Sequence, residues 1–471
     1  MANASDPVRV LREQLGAERV LDQPEVRAAY AYDGTPLLRA MPLAVVRPQD
    51  VEQVQTVLRL ANELGFGVVP RGSGTGLSGG AVPSKHSVVL LFPEWNRIEA
   101  LDTANATVWV QPGVITAHLH ATVEAAGWFY PPDPGSMRIS TIGGNVAENA
   151  GGLRGLKYGV TKHYVLAIEG VLPTGEWFRA GSQCVKDVAG YNLTDLLVGS
   201  EGTLAVFTRI LLRLIPKPPA SEVLLAVFDR QVAAAEAVAA ILERRIVPAM
   251  LEFLDRVTVR CVEDYAHVGL PQEAEALLLI ELDGHPAQVQ EEAELVEGIC
   301  RACEASLLCR AASQEQAEAL KTARRAAFSA LARLKPTAIL EDVTVPRSEL
   351  PGMVGAIQEI AARYELTIGT FGHAGDGNLH PTILADARDP QEMARVERAL
   401  EEIFEAAVRR SGTITGEHGV GLAKKPFLER LSPSGTLELM RRLRKAIDPN
   451  EVLNPGKIIS LAPRCEHAPR T

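Results

Sequence analysis

The 471-residue chain predicts a mixed α+β protein of about two large folding units. Three observations carry that expectation. At roughly 100–200 residues per domain, the length is too great for a single core. From Pro42 to about Pro219, short β-rich runs are separated by Gly/Pro turns. Beyond Pro216-Lys217-Pro218-Pro219 the texture changes to alternating strand and helix, the pattern of an antiparallel sheet covered by helices. Consecutive prolines continue neither a helix nor a central strand, so the seam falls there.

In chain order, the start reads as short helices, with Ser5-Asp6-Pro7 as cap and first residues. Residues 51–64 have helical periodicity, and Asp50 precedes them as N-cap. Strands are expected at 44–46, 67–69, 88–91, 107–110 and 204–207, where β-branched residues run between turn signals. In the second unit, strands at 223–228 and 276–282 alternate with helices at 231–244 and 286–305. A long helix at 315–334 and another near 354–364 follow. From about Gly416 come a glycine-rich motif, a helix, and the tail Asp448 to Lys457. The divisions are therefore 1–37, 38–217, 218–415 and 416–471.

Composition excludes several classes. Lys+Arg number 48 against 58 Asp+Glu, a net charge of −10 without a clustered basic run. That argues against nucleic acid and against a polybasic membrane anchor. Apolar stretches such as 223–228 fall far short of the ~20 residues that span a bilayer. Met1 to Gly16 carries charges and no apolar core, so no signal peptide is expected and the location is cytoplasmic. Six cysteines in so long a chain are no disulfide framework. Cys300, Cys303 and Cys309 read as small core residues where a helix enters a strand.

Glycine, at 39 residues, exceeds its usual ~7% share, and its positions are informative. Arg71-Gly72-Ser73-Gly74-Thr75-Gly76-Leu77-Ser78-Gly79-Gly80 directly follows the strand at 67–69. Successive glycines let backbone N–H groups converge on an anion. Gly74-x-Gly76-x-x-Gly79 spells the dinucleotide fingerprint, yet Gly80-Ala81-Val82-Pro83 cannot open the helix it requires, and no Walker Lys-Ser/Thr follows. A non-Rossmann pyrophosphate loop remains. Two further glycine-rich stretches, Pro131 to Gly152 and Gly199 to Thr203, point to a large ligand laid against backbone.

The first of these loops, with Thr141-Ile142-Gly143-Gly144-Asn145 and the run Gly190 to Leu204, resembles the FAD-binding domain of vanillyl-alcohol-oxidase-type flavoproteins. From about Ala44 to Lys457 the chain is similar to the FAD-binding D-2-hydroxy-acid dehydrogenase family, whose members oxidise glycolate, D-lactate or D-2-hydroxyglutarate. The resemblance implies a PCMH-type FAD-binding domain of two α/β subdomains over 38–217. An FAD-linked-oxidase cap over 218–415 follows, with 416–471 returning to the first domain. It implies that Pro70, Arg71, Gly72, Ser73, Gly74, Thr75, Gly76, Leu77 and Ser78 hold the pyrophosphate. Pro132, Asp133, Ser136, Thr141, Gly143, Gly144 and Gly152 would line the isoalloxazine and ribityl side. Glu201, Gly202 and Leu204 would meet the adenosine and diphosphate end, and Asn454 would touch the flavin. Thr75 stands where members with covalent flavin often carry His, so the FAD is expected to be non-covalent.

The sharpest local feature is Phe371-Gly372-His373-Ala374-Gly375-Asp376-Gly377-Asn378-Leu379-His380. Asp376-Gly377 is a two-residue hairpin signal. A hairpin centred there sets Gly375 against Asn378, Ala374 against Leu379 and His373 against His380, with Cβ atoms ~4.5–5.5 Å apart. Two imidazoles so placed can grip one ion. Glu417, in Thr415-Gly416-Glu417-His418-Gly419-Val420-Gly421, supplies a carboxylate. Its neighbour His418 points the other way in extended chain, toward the flavin side. Two His and one Glu with an open position suit a divalent metal, Zn²⁺ above all.

The resemblance implies the same metal set and makes His418 the base. A 2-hydroxy acid would chelate the metal, which lowers its hydroxyl pKa. His418 would take that proton while hydride passes to flavin N5. Arg324, on the predicted long helix, stands where the family binds the substrate carboxylate. Phe328, apolar residues near Leu340, and Thr382 replace the polar residues that relatives use for a second carboxylate, which favours glycolate or D-lactate over 2-hydroxyglutarate.

Two rival functions fit parts of the chain. A non-catalytic flavin subunit would share the glycine loops but lack His373, His380 and Glu417; a metal-dependent hydrolase would leave the run Gly190 to Leu204 without a role. By analogy, electrons would leave through an iron–sulfur subunit, with a second flavin subunit alongside. That assembly would bring the chain to the inner face of the membrane.

Overall fold

The computed structural model describes residues 6–461; Ser5 of the predicted start and Cys465 lie outside them. Two sheets form the N-terminal unit. One has four strands in the order Val20–Leu21, Val45–Val46, Ser87–Leu91, Gly67–Arg71, the last three mutually parallel. Asp50 caps the helix Val51–Leu64 by accepting from Gln53 N at 2.9 Å. That helix buries Val54, Val57, Leu58 and Ala61 against Val68, Val88 and Leu90 of the sheet. Its packing fixes Gly67–Arg71, whose carboxyl end delivers the glycine loop, the usual edge for a ligand in a parallel sheet.

The second sheet is antiparallel, in the order Ile98–Asp102, Thr107–Val110, Val206–Arg213, Val165–Val171, Trp177–Gly181. Its last long strand starts at Val206, so Leu204 and Ala205 precede it rather than open it. Pro216 is drawn into a two-residue ladder with Trp128 at the edge, where a missing N–H is tolerated.

The second unit is an eight-stranded antiparallel sheet covered on both faces. Leu224, Ala226 and Phe228 enter one core with Leu278 and Ile280, while Val223, Leu225 and Val227 enter the other with Leu277 and Leu279. The two-residue period of a strand thus explains why these runs are apolar throughout. The predicted helix at 315–334 is two helices, Gln314–Arg325 and Ala327–Leu331, interrupted at Ala326. At the break Arg324 turns in to Glu252 while Arg325 reaches out to Asp133 in the first unit. Helix Pro286–Ala302 ends early, and Ala305–Arg310 becomes an edge strand. Cys309 on that edge is exposed, so among the three clustered cysteines only Cys300 is a core residue.

The tail packs on the N-terminal unit. Leu453 bridges Val68, Leu422 N and Ala423 N donate to Ser78 O, and Lys457 Nζ donates to Val82 O. Among the described residues no helix is long and apolar enough to cross a membrane.

Candidate active site

The glycine loop from Ser73 to Gly80 contains no helix, consistent with rejection of the dinucleotide fingerprint. Among the described residues, none of its amides donates to a protein acceptor. A run of free amides held by neighbours is an anion cradle. Arg71 sits beneath it, its Nη1 donating to Tyr32 O at 2.7 Å and Ala81 O at 3.2 Å, so it braces the loop. Ser73 Oγ donates to Ile139 O, tying this loop to the second. There Thr141 caps the helix Ile142–Glu148, accepting from Gly144 N at 3.2 Å, and Gly143 lies against Pro112. Ser136 lies just upstream of this cap, and Ser140 O, between the two, accepts from Thr116 N.

The third loop closes the cradle. Gly202 lies against Pro70, and Leu204 is buried. Glu201 accepts from Val420 N and Gly421 N, both at 2.7 Å. Asn454 Nδ2 donates to Gly80 O and Glu201 O, so its amide joins the first and third loops. Buried Ser78 Oγ and Ser200 Oγ have no hydrogen-bond partner in the chain. Free amides plus orphaned hydroxyls fit the diphosphate and polyol of FAD. Pro132 O accepts from His120, and Asp133 is buried between Arg154 and Arg325.

The hairpin Thr367–His373 to Asn378–Ala385 forms, but its register differs from the predicted one. His373 pairs with Asn378, and Phe371 pairs with His380. The turn holds four residues, Ala374 to Gly377, in a tight helical turn that ends with Gly377 in the left-handed region. The displacement is two residues, which keeps every side chain on its predicted face. His373 and His380 therefore still converge, as a diagonal pair with ring centroids 5.2 Å apart.

Glu417 Oε1 completes the group, 3.1 Å from His373 Nε2 and 3.2 Å from His380 Nε2. The three ligand atoms lie within 4.8 Å of one another. Burial works against a charge on Glu417, but His373 and His380 outweigh it and hold the carboxyl well below its ordinary range. Burial likewise opposes a charge on His373, and Glu252 and Glu417 reverse that, holding it well above its ordinary value. An imidazole nitrogen this close to a carboxylate oxygen needs a proton or a cation between them. The donor set and its burial can hold a divalent cation.

Two carboxylates behind the histidines were missed in the sequence. Glu252 Oε1 is 2.6 Å from His373 Nδ1. Asp342 Oδ2 accepts from Thr415 Oγ1, Gly416 N, Glu417 N and His418 N at 2.7 to 2.9 Å, while Oδ1 lies 3.8 Å from His380 Nδ1. Asp342 thereby shapes the turn that presents both Glu417 and His418. Glu252 stands inside the largely apolar strand Met250–Asp255, whereas Asp342 lies in the link between two short strands.

His418 does not turn away from the ion site. Its ring stacks on His380 at 4.8 Å, and Nε2 is 3.8 Å from Glu417 Oε1. Asp342, His380 and His418 form a second possible ligand group. Four donors occupy Asp342 Oδ2, so only Oδ1, which makes no hydrogen bond, could be a ligand in that group. Burial pushes His418 down to about 4, and its buried Nδ1 has no partner, so the ring is neutral and able to accept a proton. Arg324 is buried, its Nη2 2.5 Å from Glu252 Oε2 and its guanidinium 4.7 Å from the Phe371 ring centre. Its Nε makes no hydrogen bond.

The two halves touch. A side chain at Gly151 would meet Glu417 Oε2 at 2.3 Å, and Gly152 lies against the Asp133 backbone. A flavin cradle beside a buried histidine and carboxylate group, in two units of this topology, defines a flavin-dependent oxidoreductase. Residues 42–181 match the family described as FAD binding domain, and residues 217–458 match FAD linked oxidases, C-terminal domain. The chain is 51% identical to glycolate oxidase subunit GlcD of Bacillus subtilis (strain 168), over 96% of this chain and 97% of that one. Identity to glycolate oxidase subunit GlcD of Escherichia coli (strain K12) is 40%, over 97% and 91%. A crystal structure of p-cresol methylhydroxylase with substrate bound shares the fold, with a TM-score of 0.80 at 18% identity over 97% and 96%. The chain belongs to the FAD-linked oxidase family, in the branch of the GlcD-type proteins, and is an FAD-dependent enzyme.

Proposed function

We propose that this enzyme oxidises a small D-2-hydroxy acid, glycolate or D-lactate, to the 2-oxo acid, and that it is the catalytic flavin subunit of a glycolate oxidase-like complex. The observation that carries the reading is the contact of the flavin loop at Gly151 with Glu417 of the cation site. When bound, non-covalent FAD supplies a hydride acceptor and a divalent metal, Zn²⁺ by its donor set, supplies Lewis acidity.

The chain's own residues do the rest. His373, His380 and Glu417 would hold the cation. Arg324, whose buried Nε has no protein partner, receives a carboxylate oxygen. His418, neutral and stacked on His380, takes the hydroxyl proton at a ring nitrogen. Phe371, buried against His380 and Arg324, gives this side of the site an apolar wall.

A cavity of about 610 Å³ lies between Tyr32 to Arg39 and the cap residues Phe328, Ala332 and Ala338, lined by none of the histidines, Glu417 or Arg324. Phe328 lies four residues after Arg324, beyond the break at Ala326, and Thr382 is fully buried opposite Leu340. This apolar cap wall supports a monocarboxylate. D-2-hydroxyglutarate, whose second carboxylate finds no cation among Phe328, Leu340 and Thr382, is the second reading. Anaerobic addition of glycolate, D-lactate, L-lactate and D-2-hydroxyglutarate to the flavin-loaded protein separates them. Bleaching of flavin absorbance by glycolate and D-lactate is expected; bleaching by D-2-hydroxyglutarate alone would replace the first reading with the second. A flavin that no acid reduces would indicate an electron-transfer subunit.

A further inference from the structure

We infer that Glu252 is a positioning residue that couples the cation-binding His373 to the carboxylate-binding Arg324. The inference rests on the reading proposed above. Glu252 lies within the strand Met250–Asp255 and is 0% exposed. Phe253 pairs with Gly372 and Leu254 with Phe371, so the same register sets Glu252 beside His373. A carboxylate taken wholly out of water is strongly unfavourable unless it is paired. Here each oxygen meets a different functional residue: Oε1 is 2.6 Å from His373 Nδ1, and Oε2 is 2.5 Å from Arg324 Nη2.

Each contact has a separate consequence. Donation of His373 Nδ1–H to Glu252 leaves the Nε2 lone pair facing Glu417 Oε1, where a cation binds, and stiffens the ring. Toward Arg324 the contact is a close, fully buried ion pair, Nη2 to Oε2. Arg324 is thus held by the Glu252 carboxylate and by the Phe371 ring, while its buried Nε keeps no hydrogen-bond partner. One side chain therefore sets both the cation ligand and the anchor for the acid's carboxylate.

The test uses the flavin-loaded protein with Glu252→Gln, Arg324→Ala, the double variant, and His373→Ala as control. Zinc affinity is measured by competition with a chromogenic chelator, and KM and kcat for glycolate are measured alongside. Flavin absorbance and the unfolding midpoint report folding. Glu252→Gln is expected to weaken zinc by roughly 10–100-fold, the usual effect of losing a carboxylate behind a ligating histidine, and to raise KM. In the Arg324→Ala background the KM effect should vanish while the zinc effect persists. If Glu252→Gln binds zinc as the wild type does while His373→Ala does not, the coupling is wrong and the cation site stands. If His373→Ala also binds zinc normally, the cation site itself is wrong and the coupling falls with it. Should Glu252→Gln fail to load FAD, Glu252→Asp, which keeps the charge but shortens the reach, is judged by the same zinc criterion.

Discussion

The loop from Gly72 to Gly80 and the hairpin carrying His373 and His380 serve one site but are built by different means. The loop offers backbone amides without protein acceptors and almost no side-chain chemistry. The hairpin offers buried side chains, with Glu252 behind His373 and Asp342 behind His380. The first depends on chain conformation and fails when a Cβ intrudes. The second depends on charge pairing and fails when a partner is removed, even with the fold intact.

The sharpest way to separate them is His418→Ala. Loss of a general base is expected to lower kcat by about 10²–10⁴, while flavin absorbance and zinc content stay at the wild-type level. Loss of FAD instead would make His418 a structural residue of the flavin side. The reverse pattern is expected at Gly74, which has φ +72° and would place a Cβ 2.0 Å from Arg71 Nη2. Left-handed strain alone is worth of order 1–3 kcal/mol, so Gly74→Ala should lower FAD affinity by roughly tenfold or more, read by flavin-to-protein absorbance, with zinc affinity unchanged. Loss of zinc there would mean that the two regions are not separable.

The tail that supports the loop has its own pH signature. Burial pushes Lys457 from 10.5 down to about 8, which Asp33, Glu201 and Glu148 offset only in part. Between those pH values the unfolded chain holds a proton that the native chain has released, so native stability rises with pH there. Lys457→Met removes that contribution. The wild-type minus variant unfolding free energy of FAD-free protein, from urea titrations, should therefore increase by up to about 3 kcal/mol between about pH 7 and pH 11. A constant difference would contradict the burial account. The smallest effect concerns thiols: Cys184 and Cys309 should react first with a thiol reagent, because both are exposed. Cys261 and Cys300, pushed by burial to about 11 and about 12, should react only on unfolding.

The same contrast explains what could be read from the sequence. Glycine clusters and a histidine pair around Asp376-Gly377 are local signals, so both halves were visible. The hairpin reading survived an incorrect register because a shift of two residues preserves the face. Glu252 and Asp342 were not visible, since an acid in a strand or a short link names no partner until the sheet is assembled. The break at Ala326 was equally hidden: alanine is the best helix former, and tertiary contacts of Arg324 and Arg325 override it. That Glu417 meets Gly151 follows only from the packing of two units far apart in sequence.

The central claim is that a cation held by His373, His380 and Glu417 works beside the flavin. The direct measurement is anaerobic reduction by glycolate of flavin-loaded protein before chelation, after removal of metal, and after zinc is restored, with metal content determined at each stage. The account predicts that the stripped protein keeps its FAD but is not bleached, and that zinc restores bleaching. Equal rates of bleaching with and without metal would contradict it.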